Sequence, residues 1–212
     1  MDRSRLAIII PALNEVKTIE RLVRAVSPYG LPIIVDDGSS DDTAQTARNA
    51  GAATIVHQSN QGYDSALNSG FQRASEIGFT YALTMDADGQ HDPTVISLFI
   101  DALENGADVV VGVRDHLQRI TEHVFATYTK LRWGIKDPLC GFKAYRLKIY
   151  TKLGHFDSYG SIGTELLLYT ARNNGRIVQI PIKTQARIDN SRFGNPLKSN
   201  IRILRALFKS VP

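Results

Sequence analysis

Asp86 and Asp88 stand one residue apart at the end of the apolar run 81–85, and the amide of Gln90 follows two positions later. Carboxylate and amide oxygens are hard ligands, suited to Mg²⁺ or Mn²⁺ and, through such an ion, to a diphosphate. If residues 81–85 form a strand of an open α/β sheet, the pair emerges at a strand's carboxyl end, where ligands gather in such folds. The chemistry this predicts is the handling of a nucleotide diphosphate. A plain turn is the competing reading, since Asp and Gly are both common turn formers.

The elements that must position this set alternate along the first half. Residues 6–10 read as a buried strand, and Asn14 or Glu15 opens a helix with Ile19, Leu22, Val23 and Val26 at helical spacing. Further strands are expected at 33–35, 54–56, 81–85 and 108–111, with a long helix over 62–77 and another over 94–103. Strands separated by helices require crossover connections and hence a mostly parallel sheet, a doubly wound α/β unit. After Gly112 the pattern loosens into a polar segment, 114–121, and an amphipathic stretch, 124–133. The segment 141–147, a helix over 165–171 and a strand over 176–180 then extend the same domain.

At 212 residues, 43% hydrophobic and 22% charged, the chain fits one soluble domain with a sizeable core. The single cysteine, Cys140, rules out an internal disulfide and fits a cytosolic setting. The apolar stretch 6–13 is too short for a secretory signal, and no run of about 18 apolar residues suggests a membrane span. Residues 183–212 carry a net charge of +6 against −2 over the rest, which points to an anionic partner near that end. No nucleic-acid partner is expected. No Gly-x-Gly-x-x-Gly follows the first strand and no Gly-x-x-x-x-Gly-Lys-Ser/Thr appears, which argues against a dehydrogenase or a P-loop nucleotidase.

The first strand ends instead in Pro11-Ala12-Leu13-Asn14-Glu15, and the second in Asp36-Asp37-Gly38-Ser39-Ser40-Asp41-Asp42-Thr43. Asp36 and Asp37 can accept hydrogen bonds from a uracil or guanine edge or a ribose, and Gly38 allows close backbone approach. Asp41, Asp42 and Thr43 can equally cap the next helix.

Together with Asn60-Gln61-Gly62, Ala66, Asn68 and Gly70, and with the run 85–93, these motifs resemble the inverting family 2 glycosyltransferases of the GT-A fold. The later run 137–146, Glu165-Leu166-Leu167 and Ile180-Pro181-Ile182 are similar to the polyprenyl-phosphate sugar transferases typified by dolichyl-phosphate mannosyltransferase. The resemblance covers roughly residues 6–193, and five ordered motifs are far more specific than one. It implies a single Rossmann-like α/β domain, with a mostly parallel central sheet flanked by helices, over residues 1–194. Its nucleotide-sugar half would run to about 112 and its acceptor half over 113–194, followed by a C-terminal helix within 195–212.

By matching residues, the resemblance implies that Pro11, Leu13, Glu15 and Asp37 line the nucleotide pocket. Asp86 would lie near the ribose and the metal, while Asp88 and Gln90 hold Mg²⁺ or Mn²⁺ against the diphosphate of a GDP- or UDP-linked sugar. The acceptor region departs from the pattern: Arg114 matches the first arginine of a basic loop, but Arg119, Thr121, Glu122 and His123 follow. Arg119 or His123 is the candidate for an acceptor phosphate. Arg187 and Arg192 resemble a loop that closes over the donor diphosphate, where arginine contacts phosphate oxygens in pairs.

The last helix, expected over 197–209, sets Leu197, Ile201, Leu204 and Phe208 on one stripe beside Lys198, Arg202, Arg205 and Lys209. Such a helix lies in an anionic membrane surface or packs on the body by its stripe. Relatives often continue into transmembrane helices; here membrane contact is expected to be peripheral or through an integral membrane partner.

The leading expectation is therefore metal-dependent, inverting transfer of a sugar to a polyprenyl phosphate at a cytoplasmic membrane face. The first rival uses a saccharide hydroxyl as acceptor, which requires a general base, for which Glu165 and Asp137 are the candidates. The second rival is a nucleotide-sugar binding module without turnover.

Overall fold

The computed structural model describes residues 5–184 and 196–210, with side chains assigned over 5–184 and 200–209. Seven strands form one sheet: β1 (Leu6–Ala12), β2 (Leu31–Asp36), β3 (Ala53–Val56), β4 (Tyr81–Thr84), β5 (Val109–Arg114), β6 (Lys143–Arg146) and β7 (Ile177–Ile182). The helices are α1 (Ile19–Val26), α2 (Thr43–Asn49), α3 (Tyr63–Ile77), α4 (Ile96–Glu104), α5 (Ile120–Trp133), α6 (Leu147–Leu153), α7 (Glu165–Arg172) and α8 (Pro196–Ser210).

β1 is apolar at nearly every position because both of its faces are covered. Ile8 and Ile10 join one core cluster, with α1, α2 and α4, and Ala7 and Ile9 join a second, with α3 and α5 to α8. Such a strand reads as a continuous run, as parallel strands buried on both faces do. Gly70 of α3 sits against β1 where a Cβ would come within 2.3 Å of the Ile9 side chain, so helix and sheet approach closely there.

The order across the sheet is β3-β2-β1-β4-β6-β5-β7. β1 pairs in parallel with β2 on one side and β4 on the other, so the winding direction reverses at β1. That reversal opens a crevice beyond the carboxyl ends of β1, β2 and β4. Most of the sheet is parallel, as expected, but β6 runs antiparallel between β4 and β5.

Two expected helices start later than their sequence signals. The segment after Asn14 makes a turn before α1 begins at Ile19. Pro93–Val95 forms a 3-10 turn, capped by Asp92 accepting from Thr94 N at 2.9 Å, before α4 begins at Ile96. The C-terminal helix packs on the body, as one of its two readings had it, but not by the expected stripe. α8 packs through Ile203, Ala206 and Leu207, whereas Ile201 and Phe208 of the expected stripe stay exposed.

Candidate active site

A cavity of about 340 Å³ opens at the crevice. Pro11, Leu13, Glu15, Asp37, Asp86, Asp88 and Gln90 all line it, so the three strand ends bring the expected donor-side residues together. Arg114 and Arg119 line its other side. His123 is exposed and does not line it. Glu165 and Asp137 are likewise absent from its wall. Arg187 and Arg192 fall outside the described residues.

The loops after β1 and β2 are stitched to each other. Asn14, in a left-handed conformation at φ 53°, donates its N–H to Ser39 Oγ at 2.8 Å, and its Oδ1 accepts from Ser40 N at 2.8 Å. Glu15 N donates to Thr43 Oγ1 at 2.8 Å. Asp41 caps the start of α2, accepting from Thr43 N at 3.0 Å and from the Thr43 hydroxyl, while Asp42 makes no side-chain cap.

Asp36 turns back to accept from Ser39 N at 2.8 Å. Asp37 accepts from His57 Nδ1 at 2.7 Å, Gln61 N at 2.9 Å and Gly62 N at 2.7 Å. A carboxylate with three donors is a clamp: Asp37 holds the segment 60–62 against the crevice. Gly38 completes this wall, since at φ 79° a Cβ would lie 2.7 Å from Asn60 N.

Asp86 is the most constrained of the metal candidates. Its Oδ1 accepts from Tyr63 Oη at 3.2 Å, and His91 Nε2 lies 3.7 Å from its Oδ2. Burial would raise its pKa, but the nearby His91 ring, the Tyr63 hydroxyl and the charge of Arg114 outweigh it and hold the carboxyl below its usual range. Burial and the neighbouring charges of Asp86 and Asp64 push Tyr63 far up, so it stays a hydroxyl donor. Asp88 Oδ1 accepts from Gln90 N at 3.0 Å, which fixes the turn between the two. The run supplies an ionised carboxylate, a second carboxylate and an amide oxygen on one wall, a donor set that fits a hard divalent cation.

Tyr63, His91 and Glu122 line the same cavity and had no role in the sequence reading. Tyr63 follows Gly62 directly at the start of α3, and that position was the available signal. His91 stacks on Phe142, with centroids 5.2 Å apart.

Gly141 faces Asp86 across the sheet, where a Cβ would fall 2.3 Å from Asp86 Oδ2. Gly141→Ala is therefore expected to displace this carboxylate and lower turnover on the order of 10²-fold, as misplacement of about 1 Å does in other sites. Steady-state kinetics beside a circular dichroism spectrum checks this, and unchanged turnover would show that the Asp86 position is not critical.

The wall that carries Arg114 and Arg119 is an ion-pair network. Arg114 Nε and Nη2 donate to the two oxygens of Asp137 at 2.8 and 2.9 Å, and Nη2 also reaches Glu122 Oε2 at 3.1 Å. Arg119 Nη1 donates to Glu122 Oε1 at 3.1 Å. Burial would lower the Arg114 pKa, but the Asp137 hydrogen bond and charge raise it overall. Asp137, expected as a candidate base, is buried and engaged at both oxygens. Both of its oxygens hold the Arg114 guanidinium.

Glu165, the other candidate base, begins α7 and does not line the cavity. It accepts from Ser158 N at 2.6 Å, from the Ser158 hydroxyl at 2.8 Å and from His155 Nε2 at 2.9 Å, which ties down the preceding loop. No grouping of three or more His, Cys, Asp or Glu side chains suited to hold a metal unaided occurs among the described residues. A cation on Asp86, Asp88 and Gln90 would thus need further oxygens from its ligand.

The sequence profile of glycosyl transferase family 2 matches residues 7–163. The chain belongs to this family. The glycosyltransferase is 32% identical to polyprenol monophosphomannose synthase of Mycolicibacterium smegmatis, an alignment covering 97% of this chain and 85% of that protein. It is 29% identical to the UDP-N-acetylglucosamine–dolichyl-phosphate N-acetylglucosaminyltransferase of Methanococcus voltae, over 84% of each chain. Among solved structures it is similar to glucosyl-3-phosphoglycerate synthase from Mycobacterium tuberculosis, crystallised with Mn²⁺, uridine diphosphate and glucosyl-3-phosphoglycerate. The TM-score is 0.80 at 21% identity, covering 99% of this chain and 80% of that one. The fold of this glycosyltransferase is the GT-A fold. No helix among its described residues is long and apolar enough to cross a membrane.

Proposed function

We propose that the enzyme transfers a sugar, with inversion, from a UDP- or GDP-linked donor to a polyprenyl phosphate at the cytoplasmic face of a membrane. The donor half extends to about residue 112 and the acceptor half follows it. The observation that carries this reading is the state of the two candidate bases: Glu165 does not line the cavity and is bonded to Ser158 and His155, and Asp137 is locked onto Arg114. A hydroxyl nucleophile would need such a base, whereas a phosphate is already anionic at neutral pH. The names of the relatives that act on polyprenol and dolichyl phosphate support the same choice.

In the proposed reaction a phosphate oxygen of the acceptor bonds to the anomeric carbon as its bond to the donor diphosphate breaks. The leaving nucleoside diphosphate carries away the electron pair, and no proton is moved. The 60–62 segment, clamped by Asp37, and the loop from Pro11 to Glu15 hold the nucleotide. Arg114, aimed by Asp137 and Glu122, and Arg119 orient the acceptor phosphate. Asp86, Asp88 and Gln90 would hold Mg²⁺ or Mn²⁺, which neutralises charge on the leaving diphosphate. Positioning and charge stabilisation are the sources of rate enhancement.

Glu165→Gln separates this from the saccharide-hydroxyl reading. The variant is expected to keep most of its rate with a detergent-dispersed polyprenyl phosphate. Loss on the order of 10²- to 10⁴-fold with donor affinity unchanged, together with turnover on saccharides alone, would instead make Glu165 a general base.

A further inference from the structure

His57 is the first residue after β3, and it is buried although residues 58–61, which follow it, are all exposed. Its N–H donates to Asp36 O at 2.9 Å, which keeps it against the end of β2. Both ring nitrogens are engaged. Nδ1 donates to Asp37 Oδ1 at 2.7 Å, and Nε2 lies 2.9 Å from the hydroxyl oxygen of Ser69 on α3. With Nδ1 donating, Nε2 is the acceptor of the neutral ring, and the Ser69 hydroxyl is its donor. A chain of three side chains, Ser69 to His57 to Asp37, thus runs from a helix to the end of a strand.

Only the last member of this chain lines the cavity. Its other two partners cannot fix its direction. Gln61 N and Gly62 N belong to a loop in which Asn60 and Gln61 are exposed, and Gly62, at φ 94°, has nothing within 4 Å of where a Cβ would lie. A loop so free takes its position from the carboxylate it binds. Ser69 is the rigid end. Its neighbour Gly70 is buried, and there α3 is pressed so closely on β1 that a Cβ would meet the Ile9 side chain. Position therefore passes from α3 through His57 to Asp37, and from Asp37 to the 60–62 segment.

We propose that His57, anchored by Ser69, is a positioning residue for the donor nucleotide: it holds Asp37 in the one orientation in which Asp37 and the 60–62 segment form the nucleotide wall. That Asp37 meets the nucleotide belongs to the reading above, and this inference rests on it. A side chain that binds its ligand well only when its own partners lock it is the usual arrangement of a precise site.

The test is calorimetric titration of the full chain with UDP and with GDP in the presence of Mn²⁺, beside a thermal melt of each variant. His57→Ala should weaken the better-bound nucleotide about tenfold, the effect of one lost hydrogen bond to a charged group. Two amide variants separate positioning from packing, since both remove the ring. His57→Asn sets an amide nitrogen where Nδ1 stands and keeps a donor on Asp37, so it should stay within about threefold of the wild type. His57→Gln reaches toward Ser69 and leaves Asp37 without that donor, so it should lose about as much as His57→Ala. In transfer assays the loss should fall on the donor KM, with kcat within about twofold of the wild type, as removal of uniform binding requires.

Ser69→Ala should cost about threefold in affinity while its melting temperature holds or rises, because alanine is the better helix former. Affinity and stability then move apart, and this variant keeps the test available if His57→Ala fails to fold. Equal losses in His57→Asn and His57→Gln, or a fall in melting temperature with affinity unchanged, would make His57 a packing residue and overturn the proposal. Asp37→Ala distinguishes the two levels. If it binds nucleotide as the wild type does, the Asp37 reading fails and the positioning with it. If it loses binding while every His57 variant retains it, the nucleotide wall stands and the positioning alone is overturned.

Discussion

Asp88→Asn is expected to leave an enzyme that folds, binds its nucleotide weakly and turns over on the order of 10²- to 10³-fold more slowly, the range seen when one charge-stabilising group is removed. Asparagine has the shape of aspartate, and its Oδ1 can still accept from Gln90 N, the bond that shapes the turn at 3.0 Å. Only the negative charge is lost. The effect should therefore fall on the leaving diphosphate and not on the fold. Chelation should act in the same direction in the wild type and add little in the variant. Turnover measured in saturating Mn²⁺ beside a thermal melt decides the matter: near wild-type activity would mean that Asp88 holds no metal.

Arg114→Met should be the costliest single change to stability at the acceptor side. The guanidinium bridges Asp137 and Glu122, both buried, and methionine leaves Asp137 without its ion-pair partner and Glu122 with Arg119 as its remaining cation. Removing one member of a buried ion pair costs about 3–5 kcal/mol, chiefly because the remaining charge is desolvated and unpaired. Adding Asp137→Asn and Glu122→Gln to the same variant should recover a large part of that loss, since neutral amides are cheaper to bury. Denaturant midpoints of the single and triple variants are the measurement. A single-variant loss below about 1 kcal/mol would place these groups among screened surface pairs.

The first half was legible because the apolar runs of three of its strands stop in polar residues. The apolar runs of β1, β2 and β4 break at Asn14, Asp36-Asp37 and Asp86, and these breaks are the crevice. β6 was not legible as a strand direction. Its four residues include Lys143 and Arg146, and only its pairing with β4 and β5 decides which way it runs.

Residue roles on the acceptor side depend on partners far away in sequence. Asp137 looks like a free carboxylate until Arg114, 23 residues earlier, is folded against it. Glu165 looks like a base until the Ser158 loop closes on it. For α8 the sequence offers two apolar sets at helical spacing, and hydrophobicity alone favours the larger Ile201, Leu204 and Phe208 set. The core chooses Ile203, Ala206 and Leu207, since a small alanine lets the helix lie close.

Because β6 is inserted antiparallel, the chain between β5 and β6 leaves and re-enters the sheet on adjacent strands at one edge, with Gly112 N bonded to Phe142 O at 2.9 Å. The excursion between them holds Arg119, α5 and Asp137, while Asp86 and Asp88 lie on the separate run after β4. Its two ends are anchored side by side, so its length can change without moving β4 or the Asp86–Asp88 run that follows it.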